Sequence, residues 1–179
     1  MRVFVAVELN QTDIIKKITD VQSKLNIKAK PVEAHNLHFT LQFLGEVSGE
    51  MIHDISSRIR TIKFSEFSVN FQNLGVFPKP KFPRVVWVGT DSEGGNSLVE
   101  LSKKVENVLN PLGFQNDKPF KPHITIFRIK NKIGDISKEL ERFSKIEFGI
   151  QKISEFKLKQ SELTPKGPIY SDLEVIKAC

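Results

Sequence analysis

The chain has 179 residues, 39% hydrophobic and 27% charged, proportions of an ordinary globular protein that give no sign of disorder and suit one domain or two small lobes sharing an interface. Its net charge of +6 and pI near 9.4 favour polyanionic partners such as nucleic acid, although lysine-rich surfaces also occur without that role. The one cysteine, Cys179, is the last residue, so a disulfide framework within the chain is excluded, a reducing compartment fits, and a catalytic thiol at a fraying terminus is disfavoured.

Residues 2–9 form an apolar, β-branched run that reads as a buried strand. The run is too short for a signal peptide or a membrane span, and the absence of targeting implies a cytoplasmic protein with no membrane partner. Asn10 or Thr12 can cap a following helix, along which Ile14, Ile15, Ile18, Val21 and Leu25 make one apolar stripe. A loop through Pro31 leads to a strand over 36–44 in strict alternation, with Leu37, Phe39, Leu41 and Phe43 facing one way and His38, Thr40 and Gln42 the other. A helix over 48–62 buries Ile52, Ile55, Ile59 and Ile62, and Phe67, Val69 and Phe71 alternate as another strand. Residues 75–83 read as a Pro-rich basic loop and as the boundary between two lobes.

The pattern then restarts. Arg84-Val85-Val86-Trp87-Val88 resembles Arg2-Val3-Phe4-Val5, and Gly94-Gly95-Asn96 opens a helix with Leu98, Leu101, Val105 and Val108 inward. A loop through Pro119 and Pro122 leads to His123, a helix over 134–144 carries Ile136, Leu140 and Phe143, and strands near 146–160 and 168–176 close the chain. Strand, helix, loop and His-x-Thr strand therefore occur twice, which an internal duplication about a pseudo-twofold axis explains.

The two motifs are His38-Phe39-Thr40-Leu41 and His123-Ile124-Thr125-Ile126. On a strand, positions i and i+2 share a face, so each presents an imidazole beside a hydroxyl. Two imidazoles near neutral pH can supply one base and one acid for a phosphodiester, and two hydroxyls can bond the non-bridging oxygens. There is no P-loop, no Gly-x-Gly-x-x-Gly and no His-Glu-x-x-His. His35-x-x-His38 does not make a metal pair, because i and i+3 of a strand point to opposite faces; His53 belongs to the polar side of a helix. The reading is metal-free chemistry, without a cofactor.

These residues resemble the two-histidine phosphoesterase superfamily. R-V-F-V-A-V-E-L, N-L-H-F-T-L-Q-F-L-G-E-V, F-P-R-V-V-W-V-G, K-P-F-K-P-H-I-T-I-F-R and the terminal G-P-I-Y narrow the resemblance to its LigT-like branch, the RNA 2′,3′-cyclic phosphodiesterases also called 2′-5′ RNA ligases. The match runs from residue 1 to about 176. It implies an α+β, bilobal fold with antiparallel sheets lining a central cleft. It also implies hydrolysis of a terminal 2′,3′-cyclic phosphate to a 2′-phosphate on RNA, tRNA among the candidates, by a monomer.

The same resemblance makes His38 the acid for the departing 3′ oxygen and His123 the base for water, with Thr40 and Thr125 on the phosphate. Arg128 adds charge beside the phosphate, but strict alternation puts it on the wrong face unless a bulge intervenes. Phe77 can stack on a terminal base or plug the core beneath its loop; Lys79, Lys81 and Arg84 can contact the RNA backbone or form a solvated edge; Tyr170 reaches for the cleft from the last strand. Alternative functions are ATP-independent 2′-5′ ligation by the same site in reverse, a non-catalytic module that binds RNA ends, and an esterase for small cyclic nucleotides.

Overall fold

Hydrophobic runs at a period of two or 3.6 residues set the elements. The computed structural model describes residues 1–179. It has strands β1 (Arg2–Glu8), β2 (His38–Glu46), β3 (Phe67–Lys79), β4 (Phe82–Thr90), β5 (Ile124–Arg128), β6 (Glu147–Ile153), β7 (Glu155–Thr164) and β8 (Gly167–Lys177). Its helices are α1 (Thr12–Lys24), α2 (Gly49–Ile59), α3 (Ser92–Leu109) and α4 (Ser137–Glu141). None is long and apolar enough to cross a membrane.

The strands make two antiparallel sheets, ordered β2-β1-β7-β8 and β5-β4-β3-β6, the α+β bilobal arrangement expected. In each, the His-x-Thr strand is an edge strand beside the strand that precedes it in the chain. The first sheet takes strands from both ends of the chain and the second from its middle. Residues 75–83, expected as a loop between lobes, instead lie in the β3–β4 hairpin, with Phe77 opposite Val85 and Pro78 opposite Pro83. The prolines sit where the ladder ends, so they interrupt few hydrogen bonds.

Both sheets share one core of 34 buried residues. Each buried aliphatic side chain contributes about 1.5–3 kcal/mol. Helix α1 buries Ile14, Ile18 and Val21 and packs against β6 of the opposite sheet; α3 buries Leu98, Leu101 and Val105 against β2 and β3. Helix α3 starts earlier than expected, at Ser92, because the Asp91 carboxylate accepts from Gly94 N at 3.0 Å. A Cβ at Gly94 would lie 2.9 Å from the Ser68 carbonyl, so this glycine lets the helix start against β3. Helix α1 has no side-chain cap; Gln151 Oε1 accepts from the backbone N–H groups of Asn10 and Gln11 just before it.

Alternation along β2 fails after Thr40. Ala6 is opposite Thr40 and Val5 opposite Gln42, so Leu41 drops out of the ladder. The same break occurs in β5, where Trp87 is opposite Thr125 and Val86 opposite Phe127, and Ile126 drops out. Each is a β-bulge, which exchanges the faces of the residues directly after it, until in β2 a second shift at Leu44 follows. Gln42, expected beside His38, is therefore buried at 2% exposure, and Phe43, expected in the core, is 53% exposed. The bulged carbonyls are met by buried groups: Ser102 Oγ donates to Leu41 O at 3.2 Å, and Val32 N and Gln22 Nε2 donate to Ile126 O at 2.9 and 3.0 Å.

Neither polar atom of the Gln42 amide has a hydrogen-bond partner. The matching position in β5 is Phe127. An orphaned buried amide costs roughly 1–3 kcal/mol, so the near-isosteric Gln42→Met should raise the unfolding free energy by that order. A urea midpoint that rises at constant m-value is the expected result; an unchanged or lower midpoint would show that the amide is satisfied.

Candidate active site

The site grows from the backbone that leads into each His-x-Thr strand. His38 is the first residue of β2, and its Nδ1–H donates to the carbonyl of Asn36 at 2.6 Å. His123 directly precedes β5, and its Nδ1–H donates to the carbonyl of Lys121 at 2.6 Å. Both imidazoles thus hold the carbonyl two residues back. A carbonyl only accepts, so the neutral ring carries its proton on Nδ1 and keeps a lone pair on Nε2. In His38 that Nε2 accepts from the Thr40 hydroxyl at 2.9 Å. Thr125 is half-buried at the corresponding place in β5.

The bulge at Ile126 resolves the difficulty over Arg128. Ile126 and Phe127 are both buried, and Arg128, next in line, returns to the side of Thr125 and is exposed. Its charge acts on His38, His123 and Tyr170, groups carried by different sheets.

Each imidazole is walled by two aromatic rings. Phe4 and Tyr170 lie 5.2 and 5.5 Å from His38, the tyrosine edge-on. Phe77 and Trp87 lie 5.1 and 6.2 Å from His123. Lys121 Nζ stands 5.7 Å from the Phe77 ring centre. The indole of Trp87 lies across Gly75 of β3, where any Cβ would overlap it, so only glycine lets the ring sit at this height beside His123.

The sequence-derived residues His38, Thr40, His123, Thr125, Arg128, Phe77 and Tyr170 are therefore drawn together, whereas Arg84 is not. Arg84 is exposed near the start of β4, and its Nη1 donates to the Lys130 carbonyl at 3.2 Å. His35 is exposed and faces Glu33 at 3.3 Å, and His53 is exposed on α2.

Pattern reading missed Trp87 and Phe4, which looked like ordinary strand apolars. It also missed a charge network across β1, β7 and β8. Lys159 Nζ bonds Glu8 and reaches Asp172 Oδ1 at 2.8 Å; Lys157 Nζ reaches Glu8 Oε2 at 3.3 Å and Asp172 Oδ2 at 2.8 Å. Glu8 is the cross-strand partner of His38. The alternation of Lys157 and Lys159 was the available signal, but their partners lie far away in sequence.

Burial is the main influence on both imidazoles and disfavours their charged forms. It lowers His38 to about 4, with Arg128 and Lys159 adding to the effect and the Asn36 carbonyl and Glu8 opposing it. Burial lowers His123 as well, assisted by Arg128 and Lys121 and opposed by the Lys121 carbonyl. Burial raises Tyr170, so its hydroxyl stays protonated at neutral pH.

This pairing of imidazole and threonine on two facing edge strands defines a two-histidine site. The chain belongs to the AKAP7 2′5′ RNA ligase-like domain family, whose model matches residues 2–177. An RNA 2′,3′-cyclic phosphodiesterase of Archaeoglobus fulgidus is 42% identical over 99% of this chain and 100% of its own length. One from Aquifex aeolicus is 39% identical, over 89% of this chain and 85% of its own. Among solved structures, a Thermus thermophilus protein superposes with a TM-score of 0.81 at 31% identity, covering 99% of this chain and 97% of that one. Escherichia coli LigT in complex with 3′-AMP superposes with 0.79 at 27% identity and the same coverage.

The lowered pKa of His38 makes stability depend on pH. In the unfolded chain this imidazole titrates near 6.5, and in the folded protein near 4. Between those values the unfolded state binds the proton that the native ring refuses, so native stability is full above 6.5 and falls as pH drops toward 4. The loss attributable to His38 is bounded at about 3 kcal/mol. Denaturant unfolding at both pH values should show a smaller acid loss in His38→Asn than in the parent; equal losses would show that the native ring titrates normally.

Proposed function

We propose that this protein hydrolyses the terminal 2′,3′-cyclic phosphate of RNA to a 2′-phosphate, acting as a monomer in the cytoplasm. The observation that carries this reading is the matched pair His38 and His123, each tied at Nδ1 to the carbonyl two residues back, with the charge of Arg128 acting on both. Full-length relatives named RNA 2′,3′-cyclic phosphodiesterase support it.

In-line displacement at phosphorus requires water on one side and the departing 3′ oxygen on the other. His123 Nε2 takes the proton of the attacking water, and His38 Nε2–H delivers one to the leaving oxygen. Each transfer is worth about 10²–10⁴-fold in rate. Arg128 and the Thr40 and Thr125 hydroxyls stabilise the charge that builds on the non-bridging oxygens. Phe77 and Trp87 offer a flat apolar wall for the terminal base, and Tyr170 borders the sugar on the His38 side.

His38 is neutral in the unliganded protein, so it acquires its working proton as the phosphate anion arrives, since a nearby negative charge favours imidazolium. The two rings share one proton in the active form and titrate as a pair. The free enzyme is most competent between its two depressed imidazole pKa values, which places the kcat/KM optimum below pH 6.5. The kcat optimum should lie at higher pH, because bound phosphate raises both. Steady-state profiles on a short RNA check this; coincident optima above pH 7 would contradict it.

The direct test is product analysis of a short RNA ending in a 2′,3′-cyclic phosphate, in excess chelator. Conversion to a 2′-phosphate is expected, with His38→Ala and His123→Ala each losing at least about 10²-fold. Release of a 3′-phosphate would reverse the leaving oxygen, and dominant joining to a 5′-hydroxyl RNA would make ligation the main reaction. Activity lost in chelator and restored by a divalent metal would overturn the metal-free mechanism.

A further inference from the structure

One buried amide touches both arms of the site. Gln22 lies on α1 at 9% exposure, on the apolar side formed by Ile14, Ile18, Val21 and Leu25, where an aliphatic residue would continue the stripe. Its Nε2 donates to the carbonyls of Val32 and Ile126, both at 3.0 Å. Val32 lies on the segment that leads into His38. Ile126 is the bulged residue between Thr125 and Arg128. The same junction holds a bond from Val32 N to Ile126 O at 2.9 Å and a bridge between Pro31 and Phe127. The amide closes the junction from the core side.

We propose that Gln22 is a positioning residue for the phosphoester reaction: by bonding the Val32 and Ile126 carbonyls together it fixes the bulge that turns Arg128 into the cleft. The inference rests on the cyclic phosphodiesterase reading. A slip of one residue along β5 would move Arg128 to the opposite face, and the bulge that prevents this is otherwise held on its outer side by Val32 alone. Removing the amide leaves the Val32 N–H bond in place, so the fold persists while the register loosens. A polar residue that interrupts the stripe of a core helix and satisfies carbonyls of two catalytic arms has a clear reason to be there.

The test is a double-mutant cycle between Gln22→Met and Arg128→Met, read in kcat/KM for cyclic-ended RNA and in affinity for inorganic phosphate. Both are measured below the unfolding transition of every variant. Gln22→Met should lower both readouts about tenfold or more, since a displacement near 1 Å can cost up to 10²-fold. Arg128→Met should lower both at least as far, and the double variant should be no worse than Arg128→Met, because Gln22 acts through Arg128. If Gln22→Met does not fold, Gln22→Asn, which keeps a donor one methylene short, enters the same cycle.

Additive losses, or losses in melting temperature alone, would overturn the inference. A parent protein that binds phosphate but leaves the cyclic end intact would sink the proposed function. Coupling in phosphate affinity would then still report whether Gln22 places Arg128.

Discussion

After each threonine of the two His-x-Thr strands, one residue leaves the ladder, and the placing of Arg128 depends on that break in β5. Leu41 and Ile126 are the residues expelled. Before the break the imidazole and hydroxyl face the cleft; after it, the buried and exposed faces exchange. Without the break Arg128 would point into a core where a lone guanidinium is far too costly, and the cleft would lack its cation. Backbone register is the constraint that brings Arg128 to the side of the imidazoles. The groups that fix it come from the helices: Ser102 of α3 on Leu41 O, Gln22 of α1 on Ile126 O.

The backbone is nearly symmetric and the side chains are not. Both imidazoles hold the carbonyl two residues back, an interaction that any sequence at positions 36 and 121 could supply. The aromatic walls differ, Phe4 and Tyr170 against Phe77 and Trp87, and so does the residue at the bulge exit, Phe43 against Arg128. The near-symmetry repeats the backbone around each imidazole while giving each its own environment. Burial depresses both, and His38 stands beside Lys159 as well. Lys159 disfavours a charged His38 further, so in the proposed reaction that ring depends on the arriving phosphate for its proton.

Much of this was legible in the chain. The motifs, the stripes of α1 and α3 and the restart at Arg84 follow from periodicity alone. The bulge in β2 was not, because Leu41-Gln42-Phe43 satisfies an alternating template as well as a broken one. Only the burial of Gln42 and the exposure of Phe43 tell them apart. In β5 the sequence did leave a clue: consecutive apolar Ile126 and Phe127 followed by a charge cannot all obey alternation. The β3–β4 hairpin was hidden by its prolines, which usually signal loops but here pair at the ladder's end. Sheet membership was hidden by distance, since β7 and β8 join β1 from the far end of the chain.

The charge network beside His38 bears on the part proposed for Arg128. Lys157 and Lys159 are each bonded to Glu8 and Asp172, so two cations and two carboxylates cancel across β1, β7 and β8. Breaking one member of such a partly buried set would strand the others, at a cost of about 3–5 kcal/mol for a fully buried pair and less here, where Asp172 is exposed. The network ties the strands behind His38 together without adding net charge to the cleft. Arg128 has no carboxylate partner in the protein and acts on both imidazoles, so in the proposed reaction it is the cation left free for the phosphate. Under the proposed function, that division lets the site keep a lysine beside His38 and still draw its anion toward Arg128: the lysine is neutralised by its neighbours, and the arginine is not.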